Sequence, residues 1–197
     1  MATGKVGKLA RAGATGAVLL ALAGCTSNAI VGTTSYRPGY APGENNLYGP
    51  VQVVVLGTPF AANVPAANVP AIVLDKIKGQ GFTGATYSLN RVDPRSPYVV
   101  ALLFGPGATI SDQRVCAGNG PAFLHYPPQP VPQAGERVHV QAIFCRSTEP
   151  LASAEGSLTV PDRPDSPQFV SSLGDFLRAI FPASNPDSGP NGDQLPF

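Results

Sequence analysis

Charge is scarce in this chain of 197 residues, since lysine, arginine, aspartate and glutamate together make up only 13% of it. Three of its thirteen basic residues lie within the first 24 positions, and the formal net charge at pH 7 is +1. The rest of the chain carries ten basic and twelve acidic residues, a net charge of −2. This balance gives no electrostatic attraction to nucleic acid or to anionic lipid, so we expect no nucleic-acid partner.

The amino-terminal region also lacks an apolar run long enough to cross a bilayer as a helix. The run from Ala12 to Gly24 has 13 uncharged residues. As a helix it would be about 20 Å long, against a hydrocarbon core of about 30 Å. Lys5, Lys8 and Arg11 precede it. A basic segment followed by a short apolar run is typical of a signal peptide.

The motifs of common catalytic and nucleotide-binding sites are missing as well. There is no GxSxG or SxxK sequence, and the segments GPGATISD and CAGNGP lack the glycine spacing of a Walker or dinucleotide-binding loop. The carboxylates considered as catalytic groups are single and separated along the chain: Asp75, Asp93, Asp112, Glu136, Glu149 and Glu155. We therefore predict that the protein is not an enzyme, with no catalytic residues and no cofactor.

Histidine is nearly absent, with His125 and His139 as its two examples. Together with Cys116, Cys145 and Glu136 they could be imagined as zinc ligands, but no two of these residues have the i, i+4 spacing of ligands on a helix. His139 lies in a segment that alternates like a strand. We interpret both histidines as surface or hydrogen-bonded side chains and predict no metal site.

The apolar run ends in Leu22-Ala23-Gly24-Cys25. A large apolar residue and two small ones before a cysteine, after a basic segment, resemble the lipobox of bacterial lipoproteins. The resemblance implies that a diacylglyceryl group is attached to the Cys25 sulfur and that signal peptidase II cleaves between Gly24 and Cys25. Two or three acyl chains hold a protein on a membrane far better than one. In the alternative, the segment is an ordinary signal peptide and Cys25 has no role.

The same resemblance implies a location in the bacterial cell envelope, facing the periplasm. In enterobacteria-like sorting, an aspartate after the cysteine retains a lipoprotein in the inner membrane. Thr26 occupies this position, which favours the outer membrane. The implied partner is the membrane, through the lipid anchor, and an envelope protein is considered as a further partner.

Composition divides the chain into four parts. We expect a signal peptide over residues 1–24, a lipidated flexible tether over 25–50, a single domain over 51–181 and a disordered tail over 182–197. The tether is assigned because its sequence is rich in glycine, proline, serine, threonine and asparagine. Tyr36, Tyr40 and Tyr48 within it are candidates to dock on the domain.

Hydrophobic patterning predicts strands and two helices within the domain. Tyr98–Gly105 is the best candidate for a central strand covered on both faces, and Arg137–Phe144 alternates between an apolar and a mixed face. Asn68 can cap a short helix, and Ser166 with Pro167 can begin an amphipathic carboxy-terminal helix. Further strands are predicted at Val51–Gly57, Phe82–Val92 and Ala152–Val160. This order favours an α+β fold with a largely antiparallel sheet, one short internal helix and the carboxy-terminal helix packed on it.

Lipidation of Cys25 would leave Cys116 and Cys145 as the cysteines of the folded region. Two remaining cysteines in an exported chain favour a disulfide between them. A redox or metal-binding thiol pair is the alternative, although the chain has no CxxC sequence.

Two functions remain open on this sequence. The first is a structural or protein-binding module of the cell envelope. The second is a small-ligand binder, with its site between sheet and helix or at the proline-rich loop YPPQPVPQAG. An enzyme with an unrecognised site is the least favoured alternative, and the carboxy-terminal helix could also leave the domain to bind a membrane or a partner.

Overall fold

A computed structural model describes residues 29–40, 51–64, 69–78, 86–87, 96–105, 110–117 and 130–183. The strands are β1 (Ala29–Tyr36), β2 (Val51–Leu56), β3 (Thr86–Tyr87), β4 (Tyr98–Phe104), β5 (Arg137–Arg146) and β6 (Glu149–Thr159). The helices are α1 (Val69–Lys78), α2 (Asp112–Ala117) and α3 (Pro167–Ile180).

The six strands form one sheet in the order β1-β6-β5-β4-β2-β3. Strand β2 is parallel to both of its neighbours, and every other pair is antiparallel. The predicted α+β class with a largely antiparallel sheet is therefore confirmed. So is the central strand, because β4 lies between β5 and β2 and all its residues after Tyr98 are buried.

Helices cover both faces of the sheet. We call the side that packs against α1 and α3 the α3 face, and the side that packs against α2 the α2 face. In β5, Val138, Val140, Ala142 and Phe144 join the core of the α3 face, whereas Ile143 and Cys145 join the core of the α2 face. This is the alternation predicted from the sequence.

Helix α3 begins as its sequence predicts. The Ser166 side chain accepts a hydrogen bond from the Phe169 amide at 3.3 Å, and Pro167 lies in the first turn, where its missing N–H costs little. One stripe of the helix is buried, including Phe169, Phe176 and Ile180. It packs on β1, β5 and β6 and on α1, so the helix belongs to the domain.

The flexible tether predicted over residues 25–50 is wrong for residues 29–40. Residues 29–36 form β1, an edge strand paired antiparallel with β6, and the folded domain therefore includes residues before 51. Four of the eight β1 residues are β-branched, which favours a strand. The register shifts between Val31 and Thr33, and this irregularity at Gly32 breaks the alternation by which a strand is recognised.

Two tyrosines fix β1 and the turn after it to the end of α3. Tyr36 donates a hydrogen bond to the Ala179 carbonyl at 2.7 Å, and Tyr40 donates one to the Ile180 carbonyl at 2.9 Å. The last carbonyls of a helix have no partner within it, so these bonds complete α3. Tyr40 is 5% exposed, and this burial raises the pKa of its phenol, with the nearby Tyr36 acting in the same direction.

The structure differs from the sequence prediction at other points. Helix α2 is a second internal helix that was not predicted, and its six residues are too few to show a helical period. Within the predicted strand Phe82–Val92, the structure describes Thr86–Tyr87 as β3. The signal peptide, Asn68, Tyr48, residues 25–28 and 41–50, and the predicted tail beyond Ala183 lie outside the described residues.

Candidate functional site

A cavity of about 300 Å³ lies where the loop after β6 enters α3. Thr159 and Val160 line it from the sheet side, and Phe169 and Ser172 line it from the helix. The rim is polar and includes the exposed side chains of Asp162 and Gln168. We call it the Ser172 cavity, and it lies between sheet and helix, one of the two places considered for a ligand site.

Ser172 is the unusual residue of this cavity. Its side chain is 1% exposed, and its hydroxyl oxygen has no hydrogen-bond partner among the described residues. A buried hydroxyl that makes no hydrogen bond costs about 1–3 kcal/mol. Phe169 and Val160 are also buried beside the cavity. The cavity thus combines an apolar wall and a polar rim with a buried hydroxyl that has no partner among the described residues, a composition found in small-molecule sites.

A second, more open space of about 610 Å³ lies between α1 and α3. Its rim is charged, with Asp75 and Lys76 from α1 and Arg178 from α3. Arg178 forms an ion pair with Asp175, three residues earlier on the same helix. The rim therefore carries both signs of charge, and one of its cations already has a partner.

The α2 face carries polar side chains on β5 and β6. Gln141 is fully buried there and its amide donates to the Ile110 carbonyl at 2.6 Å and to Asp112 at 3.2 Å, which holds the start of α2 on β5. His139 lies 4.0 Å from Glu155, and both side chains are about one-third exposed. This pair is open to solvent, as expected of a surface histidine.

The two cysteines of the folded region are joined as the sequence predicts. Cys116, in α2, and Cys145, near the end of β5, form a disulfide with their Cα atoms 5.5 Å apart. The bridge closes a loop across 29 positions of sequence. Together with Gln141 it ties α2 to the sheet, so its place in this structure is architectural.

The carboxylates considered as catalytic groups are dispersed in the described residues. Asp112 accepts from Gln141, and Glu136 accepts from the Gln133 amide. Glu149 forms ion pairs with Arg37 and Arg146 at the other end of the sheet. Asp75 lies in the groove between α1 and α3. In the part of the chain that the structure describes, no three His, Cys, Asp or Glu side chains are grouped to hold a metal ion.

The predicted lipidation and cleavage residues, and two residues that were considered as sites and set aside, are not among those that the structure describes. Gly24, Cys25, Asp93 and His125 lie outside the described residues. No helix within the described ranges is long and apolar enough to span a membrane.

The structure makes one residue prominent that carried no signal in the sequence, Ser172, and it confirms two that were predicted as candidates to dock, Tyr36 and Tyr40. Ser172 lies within the apolar stripe of α3, where a single serine interrupts the hydrophobic pattern without indicating a site. Tyr36 and Tyr40 were named only as candidates for docking. The β-branched residues before Tyr36 favour a strand, and a strand at this position would place both tyrosines on the domain.

No family model matches this chain, and no curated protein matches it. Among solved structures it is similar to PelC from Paraburkholderia phytofirmans, a dodecamer, with a TM-score of 0.42 and 12% identity over 75% of this chain and 94% of that one. A DUF4136 family protein from Bacteroides thetaiotaomicron gives a TM-score of 0.39 and 7% identity over 76% of this chain and 94% of that one. Both are bacterial proteins. Similarity at this level carries no argument about the function, partners or assembly of this chain.

Proposed function

We propose that the protein is a lipid-anchored module of the bacterial cell envelope whose domain is held close to the membrane, where it serves a structural or protein-binding role. The observation that carries the proposal is the start of β1 at Ala29, four residues after the lipobox cysteine. Four residues span at most about 14 Å even when fully extended. An acylated Cys25 would therefore keep the domain beside the bilayer instead of lifting it away.

The attachment of β1 to the domain supports this reading. It is paired with β6 from Ala29 to Tyr36, and its far end is fixed to α3 through Tyr36 and Tyr40. A pull on the anchor would thus act on the sheet itself. The disulfide also suits the proposal, because such bonds persist in oxidising compartments such as the periplasm. The outer membrane is the favoured location, since Thr26 follows the cysteine.

The anchor is tested by labelling cells that express the protein with radioactive palmitate. We expect the wild-type protein to be labelled and Cys25→Ser to lose the label. The control is the double variant Cys116→Ser/Cys145→Ser, which removes the other two cysteines and should keep the label. Equal labelling of the wild-type protein and Cys25→Ser would overturn the proposal.

A second candidate function is the binding of a small molecule in the Ser172 cavity, favoured by the free buried hydroxyl there. Protein purified from envelopes in mild detergent can be denatured, and the released small molecules identified by mass spectrometry. We expect a compound that accompanies the wild-type protein and is lost from Ser172→Val, whose methyl groups fill part of the space. If both proteins release the same compounds, the cavity is not a binding site.

A further inference from the structure

Exposed large apolar side chains are rare among the described residues. They are Ile30, which is 59% exposed, and Val131, which is 52% exposed. Ile30 is the second residue of β1, and Val131 lies six residues before the first residue of β5. The two positions are about a hundred residues apart in sequence, so their relation depends on the sheet.

The sheet brings Ile30 and the segment that leads from Val131 into β5 to the same end of the domain. Ala29 pairs with Leu158, and Arg137 pairs with Thr159, so β1 and β5 both begin where β6 ends. Hydrogen bonds to the Glu136 backbone and side chain hold the segment before β5 there. Val160 donates to the Glu136 carbonyl at 2.8 Å, and the Gln133 amide donates to the Glu136 side chain at 2.8 Å. We call this the anchor-proximal end, because β1 begins here.

Charge at this end is mixed and partly paired. Arg137 donates to the Ser157 hydroxyl at 2.8 Å, and Arg163 lies 3.6 Å from Asp165. Glu136 and Asp162 add two acidic groups. A surface with this balance does not attract anionic lipid. Any contact with a membrane here must therefore depend on the apolar side chains and on the anchor.

From these observations we infer that the anchor-proximal end of the domain rests on the lipid surface, with Ile30 and Val131 inserted among the headgroups. The inference rests on the proposed function, because it needs an acylated Cys25. Ile30 lies five residues beyond Cys25, within about 18 Å of it along an extended chain. The acylated cysteine lies in the polar interfacial layer, which is about 5–8 Å deep on each side of the hydrocarbon core. The bilayer is thus the apolar surface within reach of these side chains.

The test uses the full-length lipidated protein reconstituted in vesicles of phosphatidylethanolamine and phosphatidylglycerol. Ile30→Cys and Val131→Cys each carry a nitroxide spin label. In the proposed state the new cysteine is the free thiol, since Cys25 is acylated and Cys116 and Cys145 form the disulfide. The matched control is Ser35→Cys, an exposed position near the other end of β1.

We expect labels at Ile30 and Val131 to be several-fold less accessible to a water-soluble nickel chelate than the label at Ser35, and more accessible to oxygen. Because the contact is apolar, added salt should leave the difference unchanged. If all three labels are equally open to the chelate while palmitate labelling succeeds, the inference is wrong and the anchor stands. If they are protected in native envelopes but open in pure vesicles, a protein covers this end and the inference is also wrong. Failure of palmitate labelling overturns both proposals.

Discussion

At the scale of single residues, two buried hydroxyl groups differ in whether they are hydrogen-bonded. The Tyr40 hydroxyl donates a hydrogen bond to a carbonyl at the end of α3, whereas the Ser172 hydroxyl has no partner among the described residues. A buried polar group contributes to stability when it is hydrogen-bonded and subtracts from it when it is not. Removing the hydroxyl should therefore lower the free energy of unfolding at Tyr40 but not at Ser172.

Tyr40→Phe should lower the free energy of unfolding by about 1 kcal/mol at neutral pH, because the Ile180 carbonyl loses its donor. The substitution should also change how the free energy of unfolding depends on pH in the alkaline range. The pKa of Tyr40 is raised in the folded state by burial, so the stability it contributes is fully present below the unfolded value of about 10 and falls as pH rises above it. Urea unfolding at a series of pH values should show a shallower decline above pH ~10 in the variant. An unchanged slope would contradict the burial of this phenol.

Ser172→Ala should keep the free energy of unfolding unchanged or raise it by about 1 kcal/mol, because it removes a hydroxyl that is buried without a partner. Ser171→Ala is the matched control, since Ser171 is the preceding residue of α3 and has the same helix propensity but is only half-buried. Urea unfolding of both variants isolates the effect of burial. A loss of more than about 1 kcal/mol in Ser172→Ala alone would show that the hydroxyl has a partner.

At the scale of elements, the close packing of β1 against β6 holds the amino-terminal strand on the sheet. Its backbone lies so close to β6 that a Cβ atom at Gly156 would be 2.0 Å from the Ile30 carbonyl oxygen. Gly32 is the opposite case, because a Cβ atom there would be 3.6 Å from the Glu155 carbonyl oxygen, an ordinary contact. These two glycines lie on neighbouring strands, and only Gly156 is required for the close approach of β1 to β6.

Gly156→Ala should therefore force β1 away from β6 and cost about 1–3 kcal/mol of stability. Gly32→Ala should cost much less. Hydrogen exchange should show faster exchange of the β1 amides in Gly156→Ala than in the wild-type protein, with the amides of β4 little changed. Equal behaviour of the two variants would mean that β1 does not pack as described.

The disulfide acts on another element, α2. Removing it with Cys116→Ala/Cys145→Ala should lower the free energy of unfolding by about 3–4 kcal/mol, the loop-entropy value for a closed loop of this length. The Gln141 contacts should still hold the start of α2 on the sheet. Chemical denaturation of the oxidised protein and the variant measures the difference, and a difference below about 1 kcal/mol would contradict the model of a restrained unfolded chain.

Elements with a clear hydrophobic period were predictable, and elements without one were not. Strand β5 and helix α3 could be identified because their apolar residues recur at the spacing of a strand and of a helix. Strand β1 was missed because Gly32 interrupts its alternation, and α2 because it is short. The Ser172 cavity could not be predicted, since it arises from the packing of the β6–α3 loop against the helix.

At the scale of the whole molecule, β1 changes the expected distance between domain and membrane. A tether reaching to residue 50 would let the domain move freely above the bilayer. A strand that begins at Ala29 leaves four residues for that purpose. The proposed module would then act within about 14 Å of the lipid at its anchor-proximal end. Its partners would be envelope proteins that reach the membrane surface.

The central claim is that the mature chain begins at an acylated Cys25. The most direct measurement is mass spectrometry of the amino-terminal peptide of the protein extracted from bacterial membranes. We expect this peptide to begin at Cys25, with a diacylglyceryl group on its sulfur. A peptide that begins elsewhere, or one that contains Cys25 without lipid, would contradict the account.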